Sequence, residues 1–499
     1  MNLTEIPWLL LFFIVLLVVA IRDRWQKKHT IRHNFPVVGH LRYWLESIGP
    51  ELRQYIVANN REELPFNRQQ RAWIYASSKK ENNYTGFGTD QDLHAPGYVF
   101  IKPSLLPFRP SREQLDQMQL IPAAKTFGTR RKRPYRPASI INISAMSYGS
   151  LSKQAVESLN RGALLAGCYH NTGEGGFAPA HQHGADVVFH LGTGYFGARN
   201  LDGTFSLEKL VELTQQYPKI RMIEIKLSQG AKPGKGGVLP GKKVTAEIAA
   251  IRGIPEGKDA LSPAYHTTFD SIPTMVHWLE SIGDATGLPV GIKAAVGKLD
   301  YWEELADYMA TTQLGPDFIT IDGGEGGTGA APRSFADHVS LPWVDGFSKV
   351  YQIFSRHHLT DRIAFIGSGK LGLPDSAILA MAMGADVIQV AREAMLSIGC
   401  IQAQICHTNR CPVGIATNNQ WLTSGLDPTL KSVRFAHYIQ SFSKEVMEIT
   451  HACGYEHPSQ FTMDDIEVSM GNHAQTATLR AVYGYQKKGL SHKGSSFFV

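Results

Sequence analysis

Three cysteines near the end of the chain have the spacing of a metal or redox site. Cys400, Cys406 and Cys411 fall within twelve residues in the pattern C-x5-C-x4-C. Thiolates grouped this closely bind iron–sulfur clusters or zinc. Three sulfurs suffice for a three-iron cluster, whereas zinc normally takes four ligands, for which His407 is the nearby candidate. The alternatives are three buried thiols and disulfides, which the odd total of five cysteines disfavours.

A lysine lies inside an apolar strand pattern in the middle of the chain. Lys226 follows Glu224-Ile225 and precedes Leu227-Ser228-Gln229-Gly230. Burying an unpaired ammonium is costly, so such a lysine is either paired or functional. Directed into a barrel, its charge would stabilise an electron-rich reduced flavin.

Two glycine-rich loops are candidates for phosphate binding. Gly367-Ser368-Gly369-Lys370 ends one predicted strand, and Ala391-Arg392 follows the next. Paired loops after the last two strands of a barrel commonly hold a phosphate on backbone N–H groups. The motif Gly192–Gly197 (GTGYFG) also resembles a dinucleotide loop, but the next helix is expected only near Ser206, which favours a glycine-rich hairpin.

These residues need a scaffold that brings them together, and the pattern of the chain predicts one. Short β-branched runs alternate with helical patterns such as Leu151–Ala166, Leu207–Gln216, Trp302–Thr311 and Asp375–Met383. We expect strands at Ile140–Ser144, Val187–Leu191, Met222–Leu227, Val290–Ala294, Phe318–Ile321, Ile363–Ile366 and Val387–Val390. This many strand–helix units in one run predict an α/β fold with a parallel (β/α)8 TIM barrel, whose chemistry lies at the carboxyl ends of its strands.

The N-terminus predicts a membrane anchor. Residues from Ile6 to Ile21 carry no charged or polar side chain, and four basic residues follow within the next seven positions. This pattern favours an uncleaved single-pass helix in the cell membrane with the catalytic bulk in the cytoplasm. A cleaved signal peptide is the alternative, and the lack of a basic residue before the apolar run argues against it.

Composition and charge describe an ordinary globular enzyme-sized chain. Hydrophobic residues make up 43% and charged residues 19%. The net charge is +6, but residues 22–32 contribute +4 and residues 129–137 contribute +5, which leaves −3 elsewhere. Nucleic acid binding is therefore not expected. The basic run 129–137 (TRRKRPYRP) is interpreted as an exposed, solvated connector, with anionic lipid as its alternative partner.

We divide the chain into four predicted segments. Residues 1–28 form the transmembrane anchor and its basic flank, residues 29–128 a small N-terminal cap or docking region, residues 129–440 the barrel with its cysteine loop, and residues 441–499 a C-terminal helical extension.

Several motifs together resemble a known family. They are AMSYGSLS (145–152), NTGEGG (171–176), EIKLSQGAKPGKGGVLPGKKV (224–244), GGEGGTGAAP (323–332) and GCIQAQICHTNRCPVGIAT (399–417). In this order they resemble the FMN-binding synthase domain of glutamate synthase. The resemblance implies a (β/α)8 barrel that holds FMN beside a 3Fe-4S cluster, with electrons reaching FMN through the cluster for the reduction of 2-iminoglutarate to glutamate.

The resemblance also implies roles for particular residues. Catalysis and 2-oxoglutarate binding are implied for Lys226, Glu174, Lys232 and Arg252. Contacts to FMN are implied for Ser147, Lys226, Gln229, Gly367, Ser368, Gly369, Ala391 and Arg392. The cluster ligands are implied to be Cys400, Cys406 and Cys411.

The sequence departs from the family at several points. Val238 stands where the family usually has a glutamine, Gly324-Glu325 replaces His-Asp, and Ala391-Arg392 replaces Gly-Ser. The chain starts Met1-Asn2, without the N-terminal cysteine of a glutaminase domain. Free ammonia, another amine or a separate ammonia-supplying subunit is therefore expected to provide nitrogen, and an external donor to provide electrons.

The predicted function is a membrane-anchored FMN and iron–sulfur oxidoreductase of the glutamate synthase type, which acts on a 2-oxo acid. Two alternatives stay open at this point. One is a different FMN-dependent reaction on another 2-oxo or amino acid, which Val238 keeps in consideration. The other is a non-catalytic electron-transfer scaffold.

Overall fold

The structure is a computed structural model that describes residues 6–111, 120–471 and 475–487. The chain separates into two compact units, residues 1–71 and residues 72–499. The predicted boundaries at residues 28, 128 and 440 stay a prediction.

The first unit is helical in its described part. Its helices are Ile6–Trp25, Thr30–Asn34 and Gly39–Leu52, the last followed by a π-helical turn at Arg53–Val57. A further helix, Arg68–Lys79, runs across the boundary between the units.

The N-terminal prediction is confirmed only as a helix. The last turn of Ile6–Trp25 carries Arg22 and Arg24, and Asp23 between them accepts hydrogen bonds from the Val37 N–H and from His40. Over the described residues, the structure contains no helix with both the length and the apolar character that crossing a bilayer requires. The predicted transmembrane helix is therefore unsupported, and the location at a cell membrane stays a prediction.

The second unit is built around a closed barrel. The strands of the described chain are β1 (Val99–Ile101), β2 (Ile141–Ile143), β3 (His170–Asn171), β4 (Val187–Leu191), β5 (Ile220–Lys226), β6 (Val238–Leu239), β7 (Ala260–Leu261), β8 (Val290–Ala295), β9 (Phe318–Asp322), β10 (Ala364–Ser368), β11 (Val387–Val390), β12 (Ile466–Ser469) and β13 (Thr476–Thr478). Eight of them form a closed barrel in the order β10-β11-β2-β3-β4-β5-β8-β9, and every neighbouring pair is parallel. The predicted TIM-barrel fold is confirmed.

Helices alternate with the barrel strands along the chain and continue after the last of them. They are Lys153–Ala166, Leu207–Gln216, Ala246–Arg252, Ile272–Thr286, Asp300–Thr312, Arg333–His338, Trp343–Arg356, Pro374–Met383, Arg392–Ser397, Gln420–Thr423, Pro428–Ala452 and Leu479–Tyr483. The long helix Pro428–Ala452 packs closely on Lys153–Ala166, because Gly162 leaves room for Phe435: a Cβ at residue 162 would lie 2.8 Å from that ring.

The amino ends of the strands are closed by the basic run, which corrects the prediction of a solvated connector. Phe127 and Tyr135 pair as a short antiparallel bridge around a turn. The Arg130 guanidinium binds Glu280 through two nitrogens, at 2.7 and 2.6 Å. Arg131, with a side chain only 3% exposed, donates to Asp317 at 2.8 Å. The run 129–137 is therefore partly a buried ion-pair network, although Lys132 and Arg133 are exposed.

Candidate active site

The carboxyl end of β5 places a lysine against a glutamate from a neighbouring loop. Lys226 is the last residue of β5, and its Nζ lies 2.9 Å from Oε2 of Glu174. Glu174 lies in the single turn Gly173–Gly175 that follows β3. Burial raises the pKa of Glu174, but the nearby Lys226 ammonium outweighs burial and the pKa falls to about 2. Glu174 is therefore a carboxylate at neutral pH.

Two further cations come close to this pair. Lys232 is 2% exposed and donates to the Gly236 carbonyl at 2.9 Å. Arg252 ends the helix Ala246–Arg252, donates from Nη2 to the Tyr148 carbonyl at 2.8 Å and lies over the ring of Phe196. Burial lowers the pKa of Arg252 to about 10, and the charge of Glu174 opposes that shift. The structure thus brings together the four residues predicted for catalysis.

Two of these groups, Lys226 and Lys232, line a cavity in the barrel mouth. Its lining consists of Thr193, residues 226–229, Lys232, residues 234–237, Pro263 and Ala264. Gln229 is therefore on the cavity wall, as predicted for a ligand contact. Ser147 lies beside the same site. Its backbone nitrogen would be 2.5 Å from a Cβ added at Gly173, the residue before Glu174. With three cations around one carboxylate, the mouth suits an anionic ligand.

The backbones of two mouth loops touch each other. Gly230 follows β5, and a Cβ on it would lie 1.8 Å from the Gly323 carbonyl oxygen. The Gly230 N–H also donates to Oδ2 of Asp322 at 2.7 Å. Only glycine fits at residue 230, and the loop after β5 is thereby fixed to the end of β9.

The predicted phosphate loops lie together at the ends of β10 and β11. A Cβ on Gly367 or Gly369 would lie 2.9 or 2.8 Å from Trp343, so this loop needs its glycines. Arg392 donates to the Glu325 carbonyl. Burial and the charge of Arg392 lower the pKa of Lys370, which places these two cations near each other. Neighbouring cations beside a glycine loop form a donor set that fits a phosphate.

The cysteine loop follows the last barrel strand. None of the five cysteines, all of which lie in the described part of the chain, forms a disulfide in this structure. Cys406 and Cys411 influence each other electrostatically, and the Cys400 Sγ accepts a hydrogen bond from the Gln402 N–H at 3.4 Å. Among the residues that the structure describes, no three His, Cys, Asp or Glu side chains are grouped as metal ligands. The cluster therefore stays a prediction.

A buried lysine fastens this loop to the barrel mouth. Lys243 is 4% exposed, and its Nζ donates to the carbonyls of Cys406 and Ala416, both at 3.0 Å. The same ammonium is 3.4 Å from the carbonyl of Ser150, in the loop that contains Ser147. Asn418 adds hydrogen bonds to the carbonyls of Gly149 and Lys243. The cysteine loop and the Ser147 loop are therefore held together.

Comparison with known proteins decides the family. Residues 104–456 match the conserved region in glutamate synthase. The chain belongs to the glutamate synthase family. It is 36% identical over 482 residues to the glutamate synthase large subunit-like protein YerD of Bacillus subtilis, with 90% of this chain and 91% of YerD covered. It is 34% identical over 358 residues to the archaeal glutamate synthase (NADPH) of Methanocaldococcus jannaschii, with 72% of this chain and 67% of that protein covered.

Among solved structures, a mandelate oxidase mutant aligns with a TM-score of 0.42 and 14% identity over 88% of this chain and 99% of that one. Membership in the glutamate synthase family confirms the predicted enzyme class, an oxidoreductase of the type that acts on CH–NH2 donors.

Two departures from the glutamate synthase pattern have a visible structural result. The Glu325 carboxylate accepts hydrogen bonds from the Trp343 N–H at 3.0 and 2.9 Å, so it caps the helix Trp343–Arg356. Val238, in β6, is 37% exposed and pairs with Leu261 of β7. The position that usually carries glutamine in this family thus offers no hydrogen bond from its side chain.

A second lysine inside the barrel was missed in the sequence. Lys293, in β8, is 5% exposed, lies 3.2 Å from Oδ1 of Asp322 and donates to Oγ of Ser144 at 3.3 Å. Ser368, one of the predicted FMN contacts, donates to the same Asp322 oxygen at 2.8 Å. The sequence signal of Lys293 was the same as that of Lys226, namely a single lysine in an apolar strand.

A buried carboxylate–histidine pair was also missed. Oε2 of Glu224 lies 2.7 Å from Nδ1 of His190 and accepts a hydrogen bond from Asn171 at 2.7 Å, and Oε1 accepts one from Thr320 at 2.6 Å. Glu224 was visible in the sequence, because it lies two positions before Lys226 and so on the same face of the strand. Its partners come from three other strands, and no local pattern indicates them.

Proposed function

We propose that this protein is an FMN and iron–sulfur oxidoreductase that reduces 2-iminoglutarate, formed from 2-oxoglutarate and ammonia or another amine, to glutamate. The observation that carries this proposal is the grouping of Lys226, Lys232 and Arg252 around Glu174 at the barrel mouth. Membership in the glutamate synthase family supports it.

The cations have the chemistry to hold a dicarboxylate. Nε of Arg252 is buried and has no hydrogen-bond partner among the described residues, although Nη2 is bound to Tyr148. A carboxylate placed against this edge of the guanidinium would satisfy it with a charge-assisted bond. Lys232 and Lys226 would face the second carboxylate or the 2-oxo group. Glu174 fixes Lys226 at the end of its strand and balances one of the positive charges.

The donor set beside this pocket suits FMN. The Gly367–Gly369 loop, Ala391 and the pair Lys370 and Arg392 would hold its phosphate, while Ser147, Gln229 and Lys226 would contact its ring. When bound, FMN supplies hydride chemistry at the ring. The ammonium of Lys226 would stabilise negative charge that develops next to it, because it is 11% exposed and thus little screened by water.

Three thiols on one loop are the ligands that a 3Fe-4S cluster needs. Cys411 is buried, and Cys400 and Cys406 are half-buried, which suits a cluster shielded from solvent. The bonds from Lys243 to this loop and to the Ser147 loop would keep such a cluster next to the flavin ring. Electrons would come from an external donor, and a separate subunit is one source of the ammonia.

One observation favours a second candidate function. The side chain of Val238 is apolar at the edge of the pocket region and presents no donor to a substrate carboxylate or oxo group. A 2-oxo or amino acid with a less polar side chain than 2-oxoglutarate would fit this difference. The candidate is an FMN-dependent reaction on such an acid at the same mouth.

The first test is the anaerobically purified protein, with flavin, iron and sulfide measured and visible and EPR spectra recorded. We expect flavin bands and about three irons per chain. Incubation with 2-oxoglutarate, ammonia and a reduced dye should then yield glutamate. Glutamate formation supports the proposal, whereas product only from a less polar 2-oxo acid supports the second candidate. Both cofactors without any turnover would support an electron-transfer scaffold.

Paired arginine variants test the substrate pocket. Arg252 and Arg199 both lie over Phe196, at 5.0 and 5.5 Å, but the charge of Glu174 acts on Arg252, whereas Arg199 has Asp202 nearby. Arg252→Met should raise the KM for 2-oxoglutarate by about 10- to 100-fold, since a charged hydrogen bond contributes about 1.5–3 kcal/mol. Arg199→Met is the control and should change KM little. Equal effects of the two variants would argue against Arg252 as a substrate ligand.

A further inference from the structure

The Glu224–His190 pair lies in the interior of the barrel, and both of its members can ionise. Glu224 is 0% and His190 2% exposed, and they come from adjacent strands β5 and β4. The charges of Lys226 and Lys293 act on His190, so the pair lies close to the charged residues of the mouth.

The hydrogen bonds of Glu224 fix the protonation of the histidine ring. Three donors, from Asn171, Thr320 and His190, bind its two oxygens. Burial raises the pKa of Glu224, but the bond from His190 and the positive charges around it outweigh burial and lower it to about 2. A carboxylate only accepts hydrogen bonds, so Nδ1 of His190 carries a proton and Nε2 holds the exchangeable site.

Charged groups surround the histidine on several elements. Glu224 and Lys226 face it from β5, Lys293 faces it from β8, Glu174 lies in the turn after β3, and His266 lies in the segment after β7. Burial lowers the pKa of His190, and Glu224 opposes this shift. Gly192 lies two residues after His190 and is close to Glu174, since a Cβ added at Gly192 would lie 2.8 Å from Oε2 of Glu174. The strand that carries His190 therefore leads directly to the catalytic carboxylate.

We propose that His190 is the proton-transfer residue of the mouth and that Glu224 is its positioning residue. This inference rests on the proposed function and names the group that moves protons when the imine forms. Aligning an imidazole with a buried carboxylate is a common way to build a general base.

The proton balance of imine formation needs only one such group. The amine nitrogen forms a bond to C2 of the 2-oxo acid and gives an N–H proton to Nε2, which returns it to the C2 oxygen. A second N–H proton is then transferred through Nε2 to the same oxygen. The C2–O bond breaks at this step, and the oxygen leaves as water. His190 ends neutral, and Glu224 remains a carboxylate throughout.

Isosteric variants of the pair test the proposal. His190→Gln and Glu224→Gln keep hydrogen-bonding side chains of similar size, and kcat for glutamate formation should fall about 100-fold or more with little change in KM. In the parent protein kcat/KM should fall at acid pH, below the ordinary histidine pKa of 6.5. His190→Gln should abolish this fall, and Glu224→Gln should shift it to lower pH. His183→Gln, outside the mouth, is the control and should change neither rate nor pH profile.

Calorimetry supplies a readout that does not depend on turnover. Binding of 2-oxoglutarate, measured in two buffers with different ionisation enthalpies, should be coupled to proton uptake in the parent protein and uncoupled in His190→Gln. Parent-like kcat, pH profile and proton uptake in His190→Gln would overturn this inference alone. A parent protein that binds no 2-oxoglutarate and makes no glutamate would overturn the proposed function, and this inference with it.

Discussion

Lys226 and Lys293 are directly paired across the neighbouring parallel strands β5 and β8. Each ammonium has a carboxylate of its own: Glu174 lies 2.9 Å from Lys226, and Asp322 lies 3.2 Å from Lys293. Two like charges side by side in a barrel mouth repel each other unless each is compensated. The two ion pairs therefore form one charge-balanced layer across the site.

Breaking the second of these pairs should destabilise the fold. Lys293→Met leaves Asp322 buried and without its ammonium, and losing one partner of a buried pair typically costs about 3–5 kcal/mol. The free energy of unfolding, measured by chemical denaturation, should fall by that amount. The control is Lys298, which lies five residues later and is exposed. Lys298→Met should change the free energy of unfolding by no more than about 0.5 kcal/mol. An unchanged midpoint for Lys293→Met would contradict this expectation.

The Glu174–Lys226 pair should give stability a defined pH dependence. The pKa of Glu174 is lowered from its ordinary 4.5 to about 2 in the folded protein. The stabilisation is therefore fully present above about pH 4.5 and is lost as the pH falls toward 2. The difference in unfolding free energy between the parent protein and Glu174→Gln should be constant from pH 7 to about pH 5 and shrink below that. A difference that grows on acidification would show that the sign is wrong.

The arginine network at the amino end of the barrel should stabilise the fold without affecting catalysis. Arg131 binds Asp317 and Glu280, at 2.8 Å each, on the side opposite the mouth. Arg131→Met should lower the unfolding free energy by about 3–5 kcal/mol, because two buried carboxylates lose a partner. The exposed neighbour Lys132 provides the control Lys132→Met. If both variants unfold at the same denaturant concentration, the network has no stabilising role.

Lys243 should determine how firmly the cysteine loop is held. Lys243→Met removes its hydrogen bonds to Cys406 and Ala416, and backbone amides in residues 400–417 should exchange hydrogen faster, as measured by mass spectrometry. The adjacent Lys242 is exposed, so Lys242→Met keeps the contacts and should leave exchange unchanged. Equal exchange in all three proteins would mean that other bonds, such as those of Asn418, suffice.

The barrel could be predicted from the sequence because its strands are short, apolar and separated by helices. Predicted and observed strands coincide at Val187–Leu191 and Val387–Val390. The strand β3 was missed, because it consists of only His170–Asn171 and offers no periodicity. The helix Ile272–Thr286 was also missed.

The site was predictable where a residue type conflicts with its surroundings. Lys226 stood out for that reason, and the family motifs indicated Glu174, Lys232 and Arg252. The burial of Arg131 was not predictable, because its partner Asp317 lies 186 positions later in the chain. The partners of Glu224 are hidden in the same way: they become neighbours only when the barrel closes.

The contact between Gly230 and Gly323 restricts how this scaffold can be re-engineered. Loops at a barrel mouth are usually exchanged one at a time to change specificity, on the assumption that each is independent of the others. Here the loops after β5 and β9 share a backbone surface that admits no side chain on residue 230. A graft of one loop without the other would force them apart, so the two should be transplanted, and recombined in directed evolution, as a single block.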